Sequence, residues 1–95
     1  MFEKVLIRMR DLVRTTSYIM TVHGHEEVEA DELTFFDVEH CILNGEIVER
    51  QVDRRTAEPK YLVQGRTLQG RHAIVVAKIG PTGKLVIITT YAFTE

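Results

Sequence analysis

The feature that most constrains this chain is a change of hydrophobic period at Asn44-Gly45. Before it, apolar residues recur at helical spacing: Phe2, Val5, Leu6, Met9, Leu12 and Val13 within residues 2–14, then Phe35, Val38, Ile42 and Leu43 within 34–44. After it, the period falls to two over residues 46–53, 60–67, His72–Ile79 and Leu85–Tyr91. Short turns separate these segments at Thr56–Pro59, Gln69-Gly70 and Gly80-Pro81-Thr82-Gly83. Connections this short join antiparallel neighbours, because a parallel crossover needs a dozen residues or more. The reading is therefore α+β: N-terminal helices packed on one face of a four-stranded, mainly antiparallel sheet, in a single domain over residues 1–95.

Local signals fill in this outline. Lys4, Arg8, Asp11 and Arg14 lie opposite the apolar stripe of 2–14 and read as a solvated face. Thr15-Thr16-Ser17 breaks that helix by competing for backbone hydrogen bonds, and Tyr18–Val22 follows as a short strand. His23–Asp31 reads as a short polar helix with Val28 as its apolar contact. Thr34 and Asp37 have the spacing of a capping box, and Asn44-Gly45 reads as a left-handed C-cap. In 60–67, Tyr61 and Val63 point one way while Lys60, Gln64 and Arg66 point the other. Ala73–Ala77 and Leu85–Ile88 are continuously apolar, as central strands covered by helices would be.

Composition excludes several classes. No apolar run approaches the ~20 residues of a membrane span, and Met1-Phe2-Glu3-Lys4 lacks the uninterrupted apolar stretch of a signal peptide, so the expected location is cytoplasmic, away from the membrane. The lone Cys41 cannot form an intramolecular disulfide and falls inside a helical pattern, where Cys is commonly a buried small apolar group. The four histidines lack HExxH-like spacing, so no metal or other cofactor is expected. The formal net charge of −2 conceals a division: residues 23–53 hold ten acidic side chains against Arg50 alone, whereas 54–95 hold seven basic ones against Glu58 and Glu95. This predicts one positive face suited to an anionic ligand, unless opposite charges merely fold against each other.

If strands 60–67, 72–79 and 84–91 are adjacent, Lys60, Gln64, Arg66, His72 and Tyr91 converge on one surface, with Arg71 at its rim. Cleavage of RNA through its 2′-hydroxyl needs a proton acceptor, positive charge for the phosphorane, and a proton donor for the leaving oxygen. His72 or Tyr91 suits the proton transfers, while Lys60, Gln64, Arg66 and Arg71 suit the phosphate. The competing reading is a set of solvated charges that keep sheet edges from aggregating. His23 and His25 form a second candidate, able to share a metal only if they lie on a strand. His23 also reads as a buried or capping histidine, and next as an active-site residue.

Thr21-Val22-His23-Gly24, Leu33-Thr34, Val38, Leu43–Glu49, Lys60–Gly65 and Val86–Tyr91, in this order and spacing, follow a recurrent pattern. On these residues the chain resembles a family of small bacterial and archaeal proteins known as a domain of unknown function, often encoded beside YgiT-type (MqsA-like) zinc-finger proteins. The resemblance covers residues 18–92 and leaves helix 2–14 as an extension. It implies a toxin–antitoxin role, a fold similar to RelE- and MqsR-like messenger-RNA interferases, metal-independent endoribonuclease action on mRNA, on or off the ribosome, and an antitoxin partner of zinc-finger type. It marks His23, Gly45, Gly65 and Tyr91, the glycines for backbone reasons. Family members carry Arg four and eight residues after the His; here those positions are Glu27 and Asp31. That departure moves the expected RNA surface to strands 60–72. The alternative is a non-catalytic protein- or RNA-binding module.

Overall fold

The capping box organises the helical half. The Thr34 hydroxyl accepts from the Asp37 N–H (3.3 Å) and the Asp37 carboxylate accepts from the Thr34 N–H (2.9 Å), which starts the helix that runs Phe35–Asn44. In this computed structural model, which describes residues 1–93, the elements are α1 (Glu3–Arg14), β1 (Tyr18–Met20), α2 (Val22–Ala30), α3 (Phe35–Asn44), β2 (Glu46–Val52), β3 (Pro59–Arg66), β4 (His72–Ile79) and β5 (Leu85–Phe93). Glu95, counted in the charge division, lies outside the described residues.

The sheet has five strands in the order β1-β5-β4-β3-β2, which corrects the four-stranded expectation. β2 to β5 form the antiparallel meander read from the turns. The fifth strand is β1, parallel to β5 through Tyr18↔Leu85, Ile19↔Val86 and Met20↔Ile87. Three residues carry too little pattern to reveal a partner distant in sequence, so this pairing is a product of tertiary packing. Beyond β1 the edge of β5 is closed by side chains. The Thr21 hydroxyl donates to Ile88 O (3.0 Å), and the Asp31 carboxylate accepts from Ala92 N–H (2.9 Å). β5 is thus shielded over Leu85–Ile88 and again at Ala92 without a full strand beside it.

All three helices feed one core. Met9 and Val13 of α1, Val28 of α2, and Val38, Cys41 and Ile42 of α3 meet Val63, Val75, Ala77, Leu85 and Ile87 of the sheet. The Tyr18 hydroxyl, donating to Glu39, ties β1 to α3; burial and then the carboxylate push this phenol up to about 12. Cys41 is fully buried, and burial pushes its thiol up to about 11, so it is a packing residue with no thiolate at neutral pH. A thiol reagent at pH 8 is expected to leave Cys41 unmodified in the folded protein and to react fully once denaturant unfolds it; rapid labelling of native protein would refute this.

The Asn44-Gly45 reading requires correction. Gly45 is extended (φ −89°, ψ −175°), not left-handed. Its smallness is needed for contact: a Cβ there would lie 2.5 Å from Cys41 O and from Gln64 O, and one on Gly65 would lie 2.4 Å from Cys41 O. The end of α3 therefore rests directly on the backbone of β2 and β3. Arg10 reaches across to cap this end, donating to Gly45 O (2.7 Å) and Ile42 O (3.3 Å).

Asp37 also joins α3 to the β3–β4 turn, accepting from Leu68 N–H (3.0 Å). Burial alone would raise its pKa. The hydrogen bonds from Thr34 and Leu68, with the Arg71 charge, outweigh burial and hold the carboxyl below its ordinary value. A depressed folded value means that the stabilisation is complete above the unfolded pKa, about 3.9, and is lost as pH falls through the folded one. Asp37→Ala is expected to cost about 2 kcal/mol at pH 7 and to lessen the acid dependence of stability below about pH 4. Denaturant titrations of both proteins at pH 7 and pH 3 check this, and an equal loss at both pH values would count against it.

Candidate functional site

With the helices stacked on one side, the opposite side of the sheet has no helical layer over it. Strand alternation sends Lys60, Leu62, Gln64 and Arg66 of β3 to that open face, because Tyr61 and Val63 are in the core. The register then places their neighbours. Arg66 is directly across from His72, His72 from Phe93, Gln64 from Ile74, and Ile74 from Tyr91. Gln64, Arg66, His72, Tyr91 and Phe93 thus occupy two adjacent cross-strand rows at one end of the sheet. The His72 and Phe93 rings are 5.8 Å apart at 32°, and Tyr91 is 39% exposed. Beside them, Asn44, Gly45, Glu46, Val48, Gln64, Gly65, Arg66 and His72 line a shallow depression of about 290 Å³.

The backbone of Arg66 is held firmly. β2 pairs with β3 only between Pro59 and Gln64, so at Arg66 the end of α3 takes the place of a strand. The Asn44 side chain accepts from Arg66 N–H (3.1 Å) and donates to Arg66 O (3.0 Å). His40 Nδ1 lies 2.8 Å from the same carbonyl and 2.9 Å from the Asn44 amide nitrogen, which closes a small polar cluster around the Arg66 backbone. Arg66 is thereby presented at a defined place beside His72.

Four of the residues picked from the sequence come together: Gln64, Arg66, His72 and Tyr91. Three do not. Lys60 shares the face but sits six residues up β3 from Arg66, about 20 Å away at strand rise, in a hollow with Asp53, Glu58, Lys78, Val86 and Ile88. Arg71 is engaged with the fold, donating to Asp31 O (2.9 Å). His23 lies on α2 with Nε2 2.7 Å from Glu27 Oε1, and β5 stands between α2 and β4. The shared-metal reading of His23 and His25 needed a strand. On a helix, residues two apart diverge by about 200°, and His25 packs edge-on against Phe35 (5.2 Å between rings). Glu27 and Asp31, where relatives were expected to carry arginine, have structural partners in His23 and the β5 edge.

The single positive face is also corrected. Glu46 pairs across from Gln64 and Glu49 from Leu62, so β2 places two carboxylates on the open face. The meander mixes the acidic and basic halves because β2 belongs to the first and β3 to the second. Phe93, Asn44 and His40 were missed as site residues. Phe93 was within reach: extending the two-residue period past Tyr91 puts it on the same face. Asn44 and His40 carried no such signal, since their partner is a backbone 22 and 26 residues away.

No helix among the described residues is long and apolar enough to cross a membrane. No curated protein and no solved structure gives a significant match to the chain. The resemblance to a domain-of-unknown-function family is supported by a match that spans residues 20–92, leaving out α1 and including β2, β3, β4 and β5 as far as Ala92. The chain belongs to the family described as Domain of unknown function (DUF4258).

Proposed function

We propose that this chain is a metal-independent endoribonuclease of the toxin type, similar to RelE- and MqsR-like interferases, cleaving messenger RNA in the cytoplasm and restrained by an antitoxin of zinc-finger type. The observation that carries the reading is the placement of Arg66 across from His72, with Tyr91 in the next row of the same exposed surface. In this reading a phosphodiester lies over Arg66, whose guanidinium balances the charge of the phosphorane as the 2′-oxygen attacks phosphorus. Of His72 and Tyr91, one takes the 2′-hydroxyl proton and the other gives a proton to the departing 5′-oxygen. The products are a 2′,3′-cyclic phosphate and a 5′-hydroxyl, and no external reactant is consumed.

The test is incubation of a defined mRNA with the purified protein in EDTA, with and without ribosomes. Cleavage leaving cyclic-phosphate ends is the expected result; intact RNA in both conditions, from protein shown to be folded, overturns the reading. One observation favours a second reading. Leu62 and Val76, both half-buried, continue the open face around the buried Ile74 beside Tyr91 and Phe93, a surface suited to holding bases or a protein partner without cutting. RNA retained but not cleaved would establish that binding module instead.

A further inference from the structure

The end of the sheet away from Arg66 and His72 carries most of the basic charge of residues 54–95. The register Val52↔Pro59 and Ile79↔Leu85 brings the β2–β3 and β4–β5 turns to that end together. Of the seven cations in residues 54–95, five are here: Arg54, Arg55, Lys60, Lys78 and Lys84. Only two described carboxylates in those turns oppose them. Glu58 is held by Lys78 (2.6 Å), and Asp53 accepts from the Arg55 backbone N–H (2.8 Å). Arg54, Arg55 and Lys84 are exposed, and neither arginine is needed for packing. The positive field lost from the centre of the face, where Glu46 and Glu49 intrude, is thus concentrated at its far end.

We infer that this turn end is a phosphate anchor separate from the Arg66–His72 pair, so that the ligand is a single nucleic-acid strand running the length of the open face. The inference rests on the RNA reading and adds to it a required length. Lys60 and Arg66 are about 20 Å apart, which corresponds to about six stacked nucleotides at ~3.4 Å each. Between them Leu62 and Val76, both half-buried, flank the buried Ile74 and lead to the exposed Tyr91, where unpaired bases can lie while the phosphates reach the two charged ends. A base-paired duplex hides those bases and gains nothing from that surface.

The experiment uses the full chain and 2′-O-methyl RNA, which cannot be cleaved, as fluorescent 4-mers and 12-mers of one sequence. The 12-mer is expected to bind at least tenfold tighter than the 4-mer. Arg54→Glu with Arg55→Glu, on a turn whose side chains leave the core untouched, is expected to abolish that advantage and to flatten the salt dependence by about one to two phosphate contacts. Equal affinity for both lengths, no effect of the double variant, or equal binding of a 12-base-pair duplex would each overturn the anchor. So would full competition by polyglutamate of matching charge, which would make the end a docking point for an acidic protein. Length-dependent binding without cleavage of unmodified RNA leaves the anchor standing and removes the nuclease; cleavage with equal 4-mer and 12-mer affinity does the reverse.

Discussion

Gly65→Ala is expected to lose about 3 kcal/mol or more of folding stability, a large fraction of the ~5–15 kcal/mol of an ordinary domain. The added Cβ would stand 2.4 Å from Cys41 O and 3.0 Å from Gly45 Cα. Both obstacles are backbone, so no rotamer change relieves them; α3 must lift from β3, opening the core around Cys41, Ile42 and Val63. Gly70 is the informative control. It has φ +83° with open space around its Cβ position, so Gly70→Ala meets conformational strain alone, about 1 kcal/mol. Denaturant unfolding of the two variants separates the cases. Losses within 1 kcal/mol of each other would show that the α3–β3 contact is looser than its geometry implies.

Arg66→Ala and His72→Ala are each expected to reduce RNA cleavage at least a hundredfold with the fold retained, the usual scale for removing a charge stabiliser or a proton-transfer group. Arg66 and His72 lie on the face opposite the core, so truncating their side chains opens no cavity there. His23→Ala is expected to leave cleavage within a few-fold of the parent, because its imidazole sits on α2 against Glu27. A loss in His23→Ala equal to that in His72→Ala would move the site to α2. Asn44→Ala provides a graded case: it frees the Arg66 N–H and leaves the Arg66 carbonyl to His40 alone, so kcat is expected to fall about tenfold with little change in the pH–rate profile, as befits a positioning residue.

The structure also shows where charge counting misleads. The acidic and basic halves of the chain suggested separate faces, but β2 and β3 are hydrogen-bonded neighbours, and Glu46 and Glu49 enter the surface that holds Arg66. Residues of opposite sign that are distant in sequence become adjacent once a hairpin closes, and composition contains no information about that closure.

Local physics was legible directly. The stripe of Met9 and Val13, the Thr34–Asp37 capping box, the turns, and the alternation that put Gln64 and Arg66 opposite Tyr61 all depend on residues within a few positions of each other. That is the range over which periodicity and capping operate, and the grouping of Gln64, Arg66, His72 and Tyr91 followed from it once strands with short turns were paired in order. What remained hidden depends on contacts across the chain: β1 beside β5, Asp31 closing the β5 edge, Arg10 capping α3, and Asn44 gripping Arg66. In each of these a side chain or a three-residue strand satisfies backbone groups exposed elsewhere by the packing of α3 on the sheet. Such a partner is chosen by proximity in the folded state, so only the tertiary structure decides it.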